Sequence, residues 1–478
     1  MRKVFIASLL GLLFISITLT SFTQGYNIKV TIKGLEHKEI YMGHYFADKT
    51  YVKDTVKTDA SGTALFKGDK TIDGGLYFIV LPSKSIAWEF LMTDDQNFSM
   101  QTDTSDYVGH LVINGSSENT LYLNYVMFMR DRNIEMNNLQ EKMKAAASDK
   151  AKSTELKKEA EILQKRVKTQ WTKYINENPG TFFANLINAQ LFPEAPDFNI
   201  SPTASNPDSI RQVRTYYYNK KHFFDNLDLS DDKLLRTAHI FNKLQTYFTK
   251  MVLDPDTIIH DGDLLIKRAE ANHDVYRYIV EYLLNLKYET KRMGMDKVLV
   301  HMGEEYYLSG KATWVDSTRM AKIEERVRLT RPNIVGNKAE DLKMATVDNK
   351  IINLYNIPND YIVIAFWEPN CGHCKKVIPR LHEIYTELRW TKKMSIEVFA
   401  VLSQANEHEK WKVYLEENGI EDWINAWDPY AWSDFRKKYD IYSTPTIYLL
   451  NKKKEIIAKR LDVENLEEFI INYEKYRK

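Results

Sequence analysis

Cysteine is almost absent from this chain. Its 478 residues contain two, Cys371 and Cys374, and the 370 residues before them contain none. That excludes a framework of structural disulfides and leaves no second cysteine pair for a four-thiolate zinc site. With no cysteine near the N-terminus, a lipoprotein anchor is excluded as well. Charge of one sign is also missing. Lys and Arg number 66 against 65 Asp and Glu, for a formal net charge of +1, so nothing marks nucleic acid or an anionic surface as a partner. Apart from one segment at the start, no stretch is long and apolar enough for a spanning helix of about 20 residues. No segment recurs at a fixed period. His37, His44, His260, His273 and His301 are scattered without metal-type spacing.

The exception is the N-terminus. Arg2 and Lys3 precede an apolar stretch from Val4 to Thr20, followed by Ser21-Phe22-Thr23-Gln24-Gly25. This reads as a secretion signal over residues 1–25. The apolar part is slightly long for a signal core and slightly short for a spanning helix, so an uncleaved anchor tethering residues 4–20 to a membrane is the alternative. Both readings place the chain outside the cytosol, in the periplasm or cell envelope, where thiols oxidise. The rest is long enough for about three domains.

The two cysteines sit in Phe366-Trp367-Glu368-Pro369-Asn370-Cys371-Gly372-His373-Cys374-Lys375-Lys376. Tyr361–Trp367 before them is a continuous apolar run, the pattern of a central strand. Val377, Ile378, Leu381, Ile384, Tyr385 and Leu388 after them share one helical face. The pair therefore falls at a strand-to-helix junction. Cys371 is expected at the helix N-terminus, where free N–H groups and the dipole favour a thiolate. Cys374, one turn in, is expected to be more buried. Cys371 would then attack a substrate disulfide and Cys374 resolve the mixed disulfide. His373, if protonated, would favour the thiolate and make the disulfide more oxidising; Lys375 and Lys376 would add to that field or simply be solvated. Zinc would have to recruit His382, about two turns along the helix, and still lack a ligand.

These residues resemble the thioredoxin superfamily, and its TlpA-like exported thiol-disulfide oxidoreductases in particular. The resemblance covers residues 331–478. It rests on the strand running into Cys371-Gly372-His373-Cys374, on Pro379 inside the following helix, on Tyr442-Ser443-Thr444-Pro445-Thr446-Ile447 as a cis-proline leading into a strand, and on a closing strand (455–461) and helix (465–476). It implies a redox-active Cys371–Cys374 disulfide with no other cofactor. Cys371, Cys374, His373 and Pro445 would be catalytic, and Trp367, Thr444 and Pro445 would contact substrate. The implied partners are protein or peptide thiols and disulfides, with a membrane or periplasmic electron donor. The chain departs from the pattern twice. Ala365 stands where many members carry a buried acid; Glu368, the nearest acid, can substitute, although its position reads as a surface one. Asn370 replaces the usual aromatic before the first cysteine. Within this domain a strand is expected over 395–402 and a helix over 407–419. Trp423, Trp427 and Trp432 follow and read as core residues.

The remainder reads as two further domains. Tyr26 to about Asn114 shows short alternating strands with turn signals such as Asp59-Ala60-Ser61-Gly62, which suggests a small sandwich or barrel over 26–115. From 116 to 330 the chain turns helical. Leu156, Ala160, Leu163, Val167 and Tyr174 mark a long amphipathic helix, half of a hairpin, ended by Asn178-Pro179-Gly180. Tyr216-Tyr217-Tyr218 and Phe223-Phe224 read as packing residues. The fold class is multi-domain α+β: an N-terminal all-β sandwich or barrel, a middle α-helical domain, and a C-terminal thioredoxin-like α/β domain. The expected function is reduction or isomerisation of protein disulfides. The alternative is an envelope binding or scaffold protein whose dithiol is a redox sensor.

Overall fold

The computed structural model describes residues 25–201, 203–290 and 292–476. The signal or anchor segment lies outside the described residues, save Gly25. Among the described residues no helix is long and apolar enough to cross a membrane. The chain forms two compact units that divide between Gln245 and Thr246.

The first unit begins with a β-sandwich. Its strands are β1 (Asn27–Lys33), β2 (Glu39–Phe46), β3 (Lys49–Lys57), β4 (Thr63–Lys67), β5 (Gly75–Val80), β6 (Ile86–Met92), β7 (Asn97–Asp103) and β8 (Val112–Asn114). They pair in the orders β4-β1-β7-β8 and β3-β2-β5-β6. Period-2 alternation sends Ile28, Val30, Ile32, Phe98 and Met100 inward against Ile40, Met42, Tyr77, Ile79 and Phe90. The turn read from Asp59 to Gly62 is present. Asp59 Oδ1 accepts from the Ser61 and Thr63 N–H groups at 2.8 and 3.0 Å, and Gly62 has φ +74°. A Cβ there would lie 2.2 Å from the Ile32 carbonyl oxygen, so the turn demands glycine.

Helices α1 (Ser117–Ala145) and α2 (Lys150–Glu177) follow as a hairpin, with α3 (Phe182–Asn188), α4 (Pro207–His222) and α5 (His239–Gln245). Leu156 and Leu163 of α2 are buried, as their spacing predicts. Asn119 fastens α1 to the open edge of β6. Its amide accepts from the Leu91 N–H at 2.6 Å and donates to the Leu91 carbonyl at 2.8 Å, completing a ladder that lacks a neighbouring strand. Phe223 and Phe224 are buried and Tyr218 is half-buried against Phe198 and His222, whereas Tyr216 and Tyr217 are exposed.

The second unit starts with α6 (Pro255–Ala269), α7 (His273–Thr290), α8 (Met295–Met302) and α9 (Ser317–Thr330). Its sheet contains β9 (Lys343–Thr346), β10 (Ile351–Asn353), β11 (Tyr361–Trp367), β12 (Ile396–Leu402), β13 (Ile424–Trp427), β14 (Thr446–Asn451) and β15 (Ile456–Lys459) in the order β10-β9-β13-β12-β11-β14-β15. Helices α10 (Cys374–Thr386), α11 (His408–Asn418), α12 (Phe435–Lys438) and α13 (Leu466–Tyr476) complete it. All seven residues of β11 are buried, because this strand pairs on both sides, parallel to β12 and antiparallel to β14. Val363, Ala365 and Trp367 face Ile378, Leu381, Trp411 and Ile470 from the helices on one side. Ile362, Ile364 and Phe366 face Phe435 and Tyr439 on the other. Both faces of this central strand are thus covered, and the cysteines follow its C-terminal end.

Candidate active site

Strand β11 ends at Trp367 and α10 begins at Cys374; the six residues between form a turn. Cys371 therefore lies in that turn rather than on the helix. The reason is local: its sulfur accepts from the Cys374 N–H at 3.3 Å, and so caps the first helical turn from outside. The Cys371 N–H donates to the Glu368 carbonyl at 3.3 Å, and its thiol points to the Thr444 carbonyl at 3.4 Å. Both cysteines are free thiols; Cys371 is half-buried and Cys374 is fully buried.

The two thiols are driven apart. Burial raises the Cys371 thiol. The Cys374 thiol, the Cys374 N–H, the Thr444 hydroxyl and the His373 N–H outweigh this and bring it below its ordinary value. Burial pushes Cys374 up to about 12, with the neighbouring Cys371 adding to the rise. One sulfur is thus accessible and readily ionised, the other dry and protonated.

Thr444 and Pro445 approach from the opposite side of the turn, joined by a cis peptide bond. The Thr444 hydroxyl donates to Glu368 Oε1 at 2.7 Å. Glu368 is therefore only partly exposed and tied into the site, a position the sequence pattern did not reveal because the bond spans 76 residues. Asn370 is exposed and donates to Glu407 at the start of α11. His373 is exposed beside the pair, and Pro379 lies inside α10. Trp367 is corrected by the structure. It was expected to contact substrate, but it is 0% exposed and packs beside Tyr414, because its place on the covered face of β11 turns it beneath the site. Of the three tryptophans read as core, Trp423 is buried, Trp427 is half-buried and lies tilted against His408 with ring centroids 3.9 Å apart, and Trp432 is exposed against Tyr430. His382 is engaged with Asp422 at 2.9 Å. Among the described residues no three His, Cys, Asp or Glu side chains gather as a metal site.

A protein family described as thioredoxin-like matches residues 359–456, which span the whole of this turn and the cis-proline loop. The chain belongs to the thioredoxin-like family through this C-terminal domain. With its Cys-x-x-Cys pair it is a thiol-disulfide oxidoreductase of that family. Two families described as domains of unknown function, DUF4369 and DUF5106, match residues 26–122 and 146–333. Among solved structures, the chain is 35% identical to a domain of a possible thiol-disulfide isomerase from Cytophaga hutchinsonii, covering 30% of this chain and 94% of that one with a TM-score of 0.28. It is 20% identical to a thioredoxin-like protein from Bacteroides caccae, covering 59% of this chain and 98% of that one with a TM-score of 0.47. It is 23% identical to StoA from Bacillus subtilis, covering 27% and 96% with a TM-score of 0.23. No curated protein matches the chain.

Proposed function

We propose that this thioredoxin-like oxidoreductase is an exported enzyme that reduces or isomerises disulfides in proteins or peptides. The observation that carries the proposal is the unequal pair: a half-exposed thiol lowered below its ordinary value, and a buried one raised to about 12. The Cys371 thiolate attacks a substrate disulfide and forms a mixed disulfide, releasing one substrate thiolate. Cys374 then loses its proton and attacks the Cys371 sulfur. The second substrate thiolate leaves, and two electrons have passed from the enzyme dithiol to the substrate. Isomerisation occurs when the mixed disulfide outlives rearrangement of the substrate. Thr444 and Pro445, flanking Cys371, hold the substrate backbone, and the His373 N–H is one of the donors at the Cys371 sulfur. No cofactor beyond the dithiol takes part. A membrane or periplasmic donor re-reduces it.

Export is supported by the charged and apolar pattern of residues 1–25. The family matches at 26–122, 146–333 and 359–456 follow the order of the expected segments 26–115, 116–330 and 331–478, of which the middle one is shared between the two compact units. The test is reduction of insulin by the full chain lacking residues 1–25. Activity should vanish in Cys371→Ser, and Cys374→Ser should accumulate covalent mixed disulfides. An active Cys371→Ser protein, or a Cys374→Ser protein that traps nothing, would count against the enzyme and for a redox-sensing scaffold.

A further inference from the structure

The first unit holds a cavity that takes no part in the dithiol chemistry. It encloses about 470 Å³ among residues of β5, β6, α1, α3 and α5, a volume typical of small-ligand sites. Leu76, Val108, Val126, Met129 and Leu186 give it an apolar wall. Asn133 in its lining is exposed, so the cavity reaches solvent. Glu89 of β6 supplies the carboxylate of the lining and is half-buried. Its Oε1 accepts from the Tyr45 hydroxyl at 2.6 Å and its Oε2 from the Tyr122 hydroxyl at 2.9 Å. The two phenols fill two of about four lone-pair positions and bring no charge. Among the described residues no cation is paired with Glu89. Arg130, the cation of the lining, is committed to Asp106 at 3.0 Å.

Two further acceptors line the same chamber. The His239 imidazole makes no hydrogen bond among the described residues. Burial and the charge of Lys243 lower it to about 4, so at pH 7 it is neutral and one ring nitrogen accepts. Lys243 is not part of the lining and donates to the Leu191 and Phe223 carbonyls at 3.0 and 3.3 Å. Gln190 Oε1 accepts from the Tyr125 hydroxyl at 3.3 Å and keeps a second lone pair. An anionic ligand would be repelled by Glu89. An uncharged apolar ligand would strip water from the carboxylate and return nothing, which is costly. An ammonium group brings three donors and the missing charge, and an alkyl stem suits the wall. We propose that this cavity binds a primary ammonium group on an apolar stem, with the ammonium on Glu89 and the stem against Leu76, Val126 and Leu186. The site belongs to the first unit and does not depend on the dithiol reading. A free alkylamine and a lysine side chain of a peptide present the same group.

The test is isothermal titration calorimetry of the full chain at pH 7 with n-pentylammonium as the probe. Saturable binding of one equivalent is expected. On the wild-type chain n-pentanol, which keeps the stem and loses the charge, should bind at least about tenfold more weakly, the scale of one hydrogen bond to a charged group. Pentanoate should not bind. Glu89→Gln keeps the side-chain length and an oxygen for a phenol, and should weaken the ammonium at least about tenfold while leaving the alcohol unchanged. Val126→Phe fills the chamber from α1 without altering its charge and should abolish both, with circular dichroism confirming that each variant is folded. An acetylated, amidated alanine–lysine–alanine peptide separates the two sources. Tighter binding of this peptide than of n-pentylammonium assigns the group to a polypeptide, and n-pentylammonium binding without peptide binding assigns it to a free amine; either supports the site. No saturable heat with n-pentylammonium, equal affinity for the ammonium and the alcohol, or undiminished ammonium binding in Glu89→Gln would overturn the assignment.

Discussion

The separation of the two thiols predicts which one an electrophile finds first. Cys374, at about 12, is ionised to about one part in 10⁵ at pH 7. Cys371 lies below its ordinary 9.0, so it is ionised to more than about one part in 100. Ionisation alone therefore favours Cys371 by at least ~1,000-fold. The more basic thiolate is intrinsically the better nucleophile. A Brønsted slope of about 0.4–0.5 returns only part of that factor to Cys374, roughly 15–30-fold for each three units of separation. The net preference for Cys371 is at least ~30-fold, and the complete burial of Cys374 widens it. The assay is limited alkylation of the reduced full chain with iodoacetamide, with peptide fragmentation to place the label. At pH 7 the label should sit on Cys371. As pH rises, the Cys371 rate should level off below pH 9 while the Cys374 rate climbs about tenfold per unit. Equal labelling at pH 7, or a Cys371 rate still climbing at pH 10, would refute the reasoning.

Three further outcomes follow from packing. Asn119→Ala leaves the buried Leu91 N–H and carbonyl without partners, each at a cost of about 1–3 kcal/mol, and should lower the urea midpoint of the first unit measured by circular dichroism. Gly62→Ala forces a side chain into φ +74° and onto the Ile32 carbonyl, and should cost the sandwich more than ~1 kcal/mol in the same measurement. In the second unit, buried Asp296 pairs with Lys287 and Lys459. Burial raises its carboxyl, but the two ammonium groups outweigh that and hold it below 3.8. A lowered pKa gives stability that is present above pH 3.8 and is lost as pH falls through the folded value. Asp296→Asn should therefore cost about 3–5 kcal/mol at pH 7, and the gap to wild type should shrink as urea midpoints are taken down toward pH 3.

How much of this was legible in the sequence depended on whether the signal was local. The strand-to-helix junction around the cysteines was readable, because a seven-residue apolar run gives way to helical spacing within a few positions. The long helix through Leu156 and Leu163 was readable for the same reason. Strand β7 was not. Its alternation rests on Phe98, Met100 and Thr102 among polar residues, and its place beside β1 comes from a parallel pairing about 70 residues away. The site shows the same limit. Chain order gives the spacing of Cys371 and Cys374 but not the approach of Thr444 to Glu368. The exposure of Trp432 and the burial of Trp367 depend on which sheet face or loop each occupies, and composition does not report that.

The helices before the sheet bear on the chemistry through one contact chain. Lys459, at the end of β15, is 9% exposed at its side chain and is neutralised by Asp296 of α8. Its neighbour Arg460 donates its N–H to the Ile447 carbonyl, two residues after Pro445, and its side chain engages Tyr442, three residues before Pro445. Asp440, just upstream, is paired with Arg326 of α9. The loop carrying Thr444 and Pro445 is thus braced on both sides by charges whose partners lie on α8 and α9. Removing those helices would leave Lys459 without its carboxylate and Asp440 with only the more distant Arg460 at 3.9 Å, and an uncompensated charge is costly in a low-dielectric interior. The helical segment from α6 to α9 therefore does more than precede the dithiol domain in the chain. It belongs to the same compact unit and fixes the loop that faces Cys371.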